Sequence, residues 1–77
     1  MPSSGTSQVA LGVALRELRK EKKLTQEDLA RRASLGVRVV SGIERGEGNP
    51  RWSTLESILA AMKVDLVELG ERMAKKG

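Results

Sequence analysis

Cysteine, histidine, tyrosine and phenylalanine are all absent from this 77-residue sequence, while tryptophan occurs once and proline twice. Without thiols there is no disulfide framework and no thiolate nucleophile; without imidazoles the commonest general base and the usual zinc ligands are missing too. No metal site, cofactor or catalytic group is therefore expected, and the available chemistry argues against an enzyme. A single aromatic residue cannot build the stacking surfaces on which single-stranded nucleic acids bind. The apolar run near the start is broken by Gly12 and soon reaches Arg16, so no membrane span is expected. What remains is a chain long enough for one small domain, close to the size below which a hydrophobic core needs staples.

Its charge is unevenly placed. Fourteen Lys and Arg stand against ten Asp and Glu; residues 15–52 hold ten of the basic and six of the acidic residues, and residues 53–77 hold four of each. The whole net charge of +4 thus lies in the first part of the chain. A clustered excess of this sign suits a polyanion such as nucleic acid, although solvated Lys and Arg faces often bind nothing in particular. Residues 1–7, MPSSGTS, are polar and carry no basic segment. They are expected to form a disordered lead ahead of one domain over residues 8–77, with no signal peptide and a cytoplasmic setting.

Helix periodicity and capping residues predict an all-α fold of five helices. Leu11, Leu15 and Leu18 recur at i, i+4 and i+7 before the cluster RKEKK, predicting a first helix over 8–22. In Leu24-Thr25-Gln26-Glu27-Asp28-Leu29, Thr25 is the N-cap, acidic groups fill the first turn, and Leu24 and Leu29 form a hydrophobic staple around a second helix at 26–33. Ser53-Thr54-Leu55-Glu56 reads as a capping box for a helix at 54–62, and Asp65 with Val64 and Leu69 repeats the device for a helix at 66–75. The third helix, 37–45, has weak signals of its own: Gly36 as N-cap, three valines, and Gly42 inside, which costs ~1 kcal/mol relative to alanine. Gly46 is placed to close it in a left-handed conformation, and Gly48-Asn49-Pro50 marks the following loop. Trp52, just ahead of the fourth helix, is expected to plug the core.

A short capped helix, a tight turn and a second helix ending in IERG make a specific pattern. With LRELR at 15–19, LTQEDLARRA at 24–33, SGIERGEGNP at 41–50 and STLESILAAMKV at 53–64, the chain resembles the Cro and lambda-repressor-like helix-turn-helix family, also known as the XRE family. It is similar to phage repressor domains and to the small controllers of restriction-modification systems. The resemblance implies a compact five-helix domain whose helices 2 and 3 form the helix-turn-helix. It further implies a sequence-specific transcriptional regulator acting as a homodimer on inverted-repeat sites in double-stranded DNA. Arg19 and Glu44 fall where the family often has an ion pair between helix 1 and the end of helix 3. Thr25 and Gln26 fall where helix 2 meets a DNA phosphate, and Arg45, Asn49 and Arg51 are further phosphate candidates. The sequence departs from the family at the turn, where Ser34 takes the usual glycine position and Gly36 the usual Ser or Thr cap.

The same resemblance assigns the groove-facing positions to Gly36, Val37, Arg38, Ser41 and Gly42 of helix 3. Of these, Arg38 alone can grip guanine O6 and N7 with two hydrogen bonds; Val37 can touch a thymine methyl, Ser41 can bond a base or a phosphate, and Gly42 only permits close approach. Val40 and Ile43 are expected in the core, and Val39 fits either side. With so few base contacts, reading would lean on phosphate positioning and DNA shape. The alternative is that the valine-rich surface binds a protein partner, as in antitoxins and co-regulators of this type. For the dimer, Leu66, Val67 and Met73 of helix 5 are the candidates, unless that stripe packs within one copy. A reader of this size would act by occupying a promoter.

Overall fold

The computed structural model describes the backbone of residues 4–76 and the side chains of residues 7–74. Five helices follow one another: α1 (Ser4–Glu21), α2 (Gln26–Ala33), α3 (Val37–Glu44), α4 (Trp52–Met62) and α5 (Leu66–Lys76), with no strand among the described residues. α2 packs against α3 and α4, and α1 packs against α3 and α5. The core they enclose is aliphatic, with Leu15, Leu18, Leu29, Val40 and Ile58 its most deeply buried large side chains. Val40 and Ile43 of α3 point inward while Val37 and Val39 stay exposed, which resolves the open reading of Val39.

The helix starts show where local chemistry decides. Thr25 is extended (φ −79°, ψ 167°) and its Oγ1 accepts from the Asp28 amide at 2.9 Å, while Asp28 Oδ2 accepts from the Thr25 amide at 3.0 Å. Two of the four orphan donors at the start of α2, those of Thr25 and Asp28, are thereby satisfied, and those of Gln26 and Glu27 stay free. At α5, Asp65 Oδ1 accepts from the Glu68 amide at 2.8 Å. α4 differs from expectation. It begins at Trp52 with Arg51 as an N-cap that makes no side-chain capping bond, so the Ser53 capping box does not form. Ser53 is already helical, and its carbonyl accepts from Ser57 Oγ at 3.0 Å. The physical reason is that Arg51 already has the extended N-cap conformation (φ −70°, ψ 155°) and its carbonyl accepts from the Leu55 amide, so the helix is under way before Ser53 can cap it. The backbone bonds gained by starting two residues earlier outweigh a cap contribution of about 1 kcal/mol. α1 likewise begins earlier than expected, at Ser4 in place of residue 8, so the part of the presumed lead from Ser4 to Ser7 is helical; residues 1–3 lie outside the described residues. Apolar periodicity marks only the packed stretch of a helix and misses an added polar turn.

Four helices end in one way. The amides of Leu24, Leu35, Glu47 and Val64 reach back to the carbonyls of Arg19, Ala30, Gly42 and Leu59, at 3.1, 2.8, 2.9 and 3.0 Å. In each case the preceding residue is left-handed: Lys23 (φ 59°), Ser34 (58°), Gly46 (77°) and Lys63 (58°). This is the Schellman closure, which glycine adopts without strain and the other three positions adopt at a cost. Ser34 therefore makes the turn between α2 and α3 in the position where a glycine would be easier.

Glycine is required where α1 crosses the end of α3. A Cβ on Gly12 would lie 2.4 Å from the Ile43 carbonyl oxygen and 2.8 Å from that of Glu44. Backbone meets backbone there, which sets how closely the last turn of α3 approaches α1. Trp52 is 55% exposed and does not plug the core as the sequence led us to expect. As the first residue of α4 it lies outside the stretch whose Ile58, Leu59 and Met62 are buried, and aliphatic side chains fill the space.

Candidate nucleic-acid interface

The approach fixed by Gly12 brings Arg19 of α1 to Glu44, the last residue of α3. Arg19 Nε donates to Glu44 Oε2 at 2.6 Å and Nη2 to Oε1 at 3.0 Å, while Nη1 donates to the Leu24 carbonyl at 2.8 Å. Both side chains are almost closed off, 10% and 4% exposed. The Glu44 hydrogen bond raises the Arg19 pKa beyond its already high value, against the opposing effect of burial, so the guanidinium stays charged. Glu44 Oε1 also accepts from Gln26 Nε2 at 3.0 Å. Since a carboxylate only accepts, it fixes the orientation of the Gln26 amide and leaves that amide one further N–H. One carboxylate therefore joins α1, the first residue of α2 and the last residue of α3.

The start of α2 presents Gln26 beside the free amides and positive dipole end of the helix, an arrangement that favours an anion. The Asp28 carboxyl is held below the usual carboxylate range, first by the Thr25 amide, then by the Thr25 side chain, then by Arg31, whose Nη2 donates to it at 3.0 Å.

Outward from the core, α3 presents exposed Val37, Arg38 and Val39 and half-buried Ser41 and Gly42. A Cβ at Gly42 would meet nothing, so the fold of the chain itself does not require glycine there. An open cleft of about 490 Å³ runs between α3, the loop after it and the start of α4, lined by Arg38, Val39, Gly42, Glu47, Asn49 and Arg51 among others. It brings together four of the residues singled out from sequence. Arg45 lies at the end of α3, where Nη1 donates to Ser41 Oγ and Nε and Nη2 donate to Glu47 at 3.0 and 3.1 Å. The hydrogen bonds with Glu47 raise the Arg45 pKa and lower that of Glu47. Sequence reasoning missed Glu47, although its spacing of two residues from Arg45 across a Gly was a signal that the two could meet.

The candidate dimer residues divide. Leu66 and Val67 are 52% and 70% exposed, whereas Met73 is half-buried and packed against the core. Leu66, Leu69 and Met73 border an open apolar groove of about 390 Å³ that Leu11, Pro50 and Leu55 complete. On the other flank of α5, Arg72 pairs with Glu21 and, at 3.6 Å, with Glu17, tying α5 to α1. No metal-binding group of acidic residues and no helix long and apolar enough to cross a membrane occur among the described residues.

Comparison with known proteins places this geometry in context. The Helix-turn-helix family profile matches residues 15–69. The chain is 38% identical over 58 residues to the immunity repressor protein of Bacillus phage phi105, a match covering 75% of this chain and 40% of the phage protein. It is 39% identical over 59 residues to the uncharacterized HTH-type transcriptional regulator y4dJ of Sinorhizobium fredii, covering 77% of each. Among solved structures, the restriction-modification controller protein C.Esp1396I, as a tetramer in complex with its natural 35 base-pair operator, superposes with a TM-score of 0.83 at 33% identity, covering 90% of this chain and 91% of the controller. The chain thus spans less than half the length of the phage repressor and nearly the whole of the controller.

Proposed function

Because the chain belongs to the helix-turn-helix family, whose profile matches residues 15–69, we propose that it is a transcriptional regulator that binds specific sites in double-stranded DNA as a homodimer. The observation that carries this reading is the convergence of Arg38, Gly42, Asn49 and Arg51 on one open cleft along α3. In this reading α3 enters the major groove, with Arg38 toward guanine, Val37 toward thymine methyls, Ser41 as a hydroxyl donor and Gly42 admitting the backbone. The free N–H of Gln26 and the start of α2, with its cap Thr25, meet one phosphate; Arg45, Asn49 and Arg51 meet others.

One α3 carries too few base contacts to find an operator alone. Two copies on inverted half-sites about 34 Å apart supply the second set. The exposed Leu66 and Val67 at the start of α5, continuous with the apolar groove bordered by Met73, support pairing through this helix. The bound dimer then acts by occupancy, as a repressor or controller at a promoter.

The experiment is selection of the purified protein against a random duplex pool at near-physiological salt, with sequencing of the retained DNA. A two-fold symmetric site supports the dimeric operator reading and gives the half-site spacing. Retention that is salt-sensitive but unselective sinks it and favours a protein partner on the Val37 and Val39 surface.

A further inference from the structure

Gly46 (φ 77°) folds the chain back after α3, and Arg45 and Glu47 on either side of it meet. The two guanidinium–carboxylate bonds are parallel, Nε to Oε2 and Nη2 to Oε1 at 3.0 and 3.1 Å, and the third nitrogen is taken by Ser41 Oγ. Three of the five N–H groups of Arg45 are therefore engaged within the chain, and both oxygens of Glu47 are committed to it. Glu47 also lines the cleft that holds Arg38, Asn49 and Arg51, which makes it a negative charge on a surface suited to phosphates.

We propose that Glu47 is a built-in counter-ion of the DNA-facing surface: it holds Arg45, and a DNA phosphate has to compete with it. The inference rests on the DNA-binding reading above and adds a residue that sets its strength. A free arginine that meets a phosphate releases a condensed cation, which makes binding tighter and more salt-dependent. An arginine already paired with a carboxylate exchanges one anion for another and gains little. The carboxylate that loses its partner is then left beside the DNA backbone, where like charges repel. Both effects are blind to base sequence. Glu47 thus lowers affinity for all DNA alike and leaves the preference set by α3 intact, which hastens release from non-operator DNA.

The test is fluorescence-anisotropy titration of the full chain over a range of salt, on one duplex carrying the enriched site and one shuffled duplex. Glu47→Gln, Arg45→Ala and the double variant are compared with the parent, and Glu71→Gln on α5 controls for the same change in net charge. Glu47→Gln is expected to tighten binding to both duplexes about two- to fivefold per half-site, the range in which exposed ion pairs hold their partners. It should also steepen the slope of log K against log salt by about 0.9 per half-site. In the Arg45→Ala background the part of the gain that comes from freeing Arg45 should vanish, leaving only a smaller gain from relieved repulsion, and Glu71→Gln, farther from the cleft, should produce a smaller gain than Glu47→Gln does in the parent.

No tightening, a gain as large without Arg45 as with it, or a gain on one duplex only would each overturn the proposal while leaving the DNA-binding reading standing. Absence of duplex binding by the parent at every salt concentration would remove that reading and this inference with it.

Discussion

Replacing Gly12 by alanine would set a methyl carbon 2.4 Å from the Ile43 carbonyl oxygen and 2.8 Å from that of Glu44. A carbon and a carbonyl oxygen ordinarily come no closer than about 3.3 Å, so the two helices must part by roughly 0.9 Å at the crossing. Neither neighbour can rotate aside, because both are backbone. α1 cannot retreat freely either, since Ala14, Leu15 and Leu18 are fully buried. Overpacking of this kind costs about 1–3 kcal/mol, and a rigid partner puts it at the upper end. Alanine returns about 1 kcal/mol of helix propensity, leaving a net loss of about 2 kcal/mol.

Gly70 supplies the matched control, because it is exposed within α5 and a Cβ there meets nothing. Gly70→Ala should gain up to about 1 kcal/mol from propensity alone. For a domain of this size each kcal/mol moves the melting temperature by about 4–8 °C. Thermal melts followed by circular dichroism should therefore show Gly12→Ala falling by roughly 8–16 °C and Gly70→Ala rising by several degrees. If Gly12→Ala melted with or above the parent, the inference that α1 and α3 meet backbone to backbone would be refuted.

Ser34→Gly should raise stability by about 0.5–1 kcal/mol, because glycine removes the left-handed strain of ~1–2 kcal/mol at a smaller entropic cost; an unchanged or lower denaturant midpoint would mean that φ 58° costs serine nothing here. Arg38→Ala should flatten the preference at one base position of each half-site by about 1–3 kcal/mol while leaving the others intact. Competition among single-base variants of the selected site reads this directly, and an unaltered preference would take Arg38 out of the reading set.

Much of this architecture was legible in the sequence because its signals are local. Thr25 and Asp65 announce helix starts through bonds to amides three residues ahead, and the i, i+4, i+7 leucines mark the buried face of α1. The long-range contact between Arg19 and Glu44 came from the family pattern, since nothing local links residues 25 apart. What escaped was set by packing and by the loop. The capping signal at Ser53 was genuine chemistry, overridden by a helix that starts directly after Pro50 and Arg51. Trp52 was assigned to the core because the resembled family has an aliphatic side chain at that place, yet its position ahead of the buried stretch of α4 leaves it outside. Gly12 looked like a break in an apolar run; its need for close approach exists only once α3 is in position. Glu47 drew no notice because its pairing with Arg45 exists only once the left-handed turn at Gly46 folds the two side chains together.

Glu44 joins the core of the fold to its outer surface. Its Oε1 is shared between Arg19 Nη2 and Gln26 Nε2, both at 3.0 Å, and its Oε2 takes Arg19 Nε at 2.6 Å. A pair this well enclosed contributes little net stability, because the loss of hydration nearly cancels the attraction, whereas deleting one partner costs about 3–5 kcal/mol. An apolar pair of similar size could stabilise the crossing of α1 and α3 as well. It could not orient the Gln26 amide, because only an acceptor holds that nitrogen and leaves its second N–H free. The charge at this crossing therefore serves geometry more than stability: the carboxylate that closes α3 against α1 also fixes the first side chain of α2, and the two helices of the helix-turn-helix share one reference point.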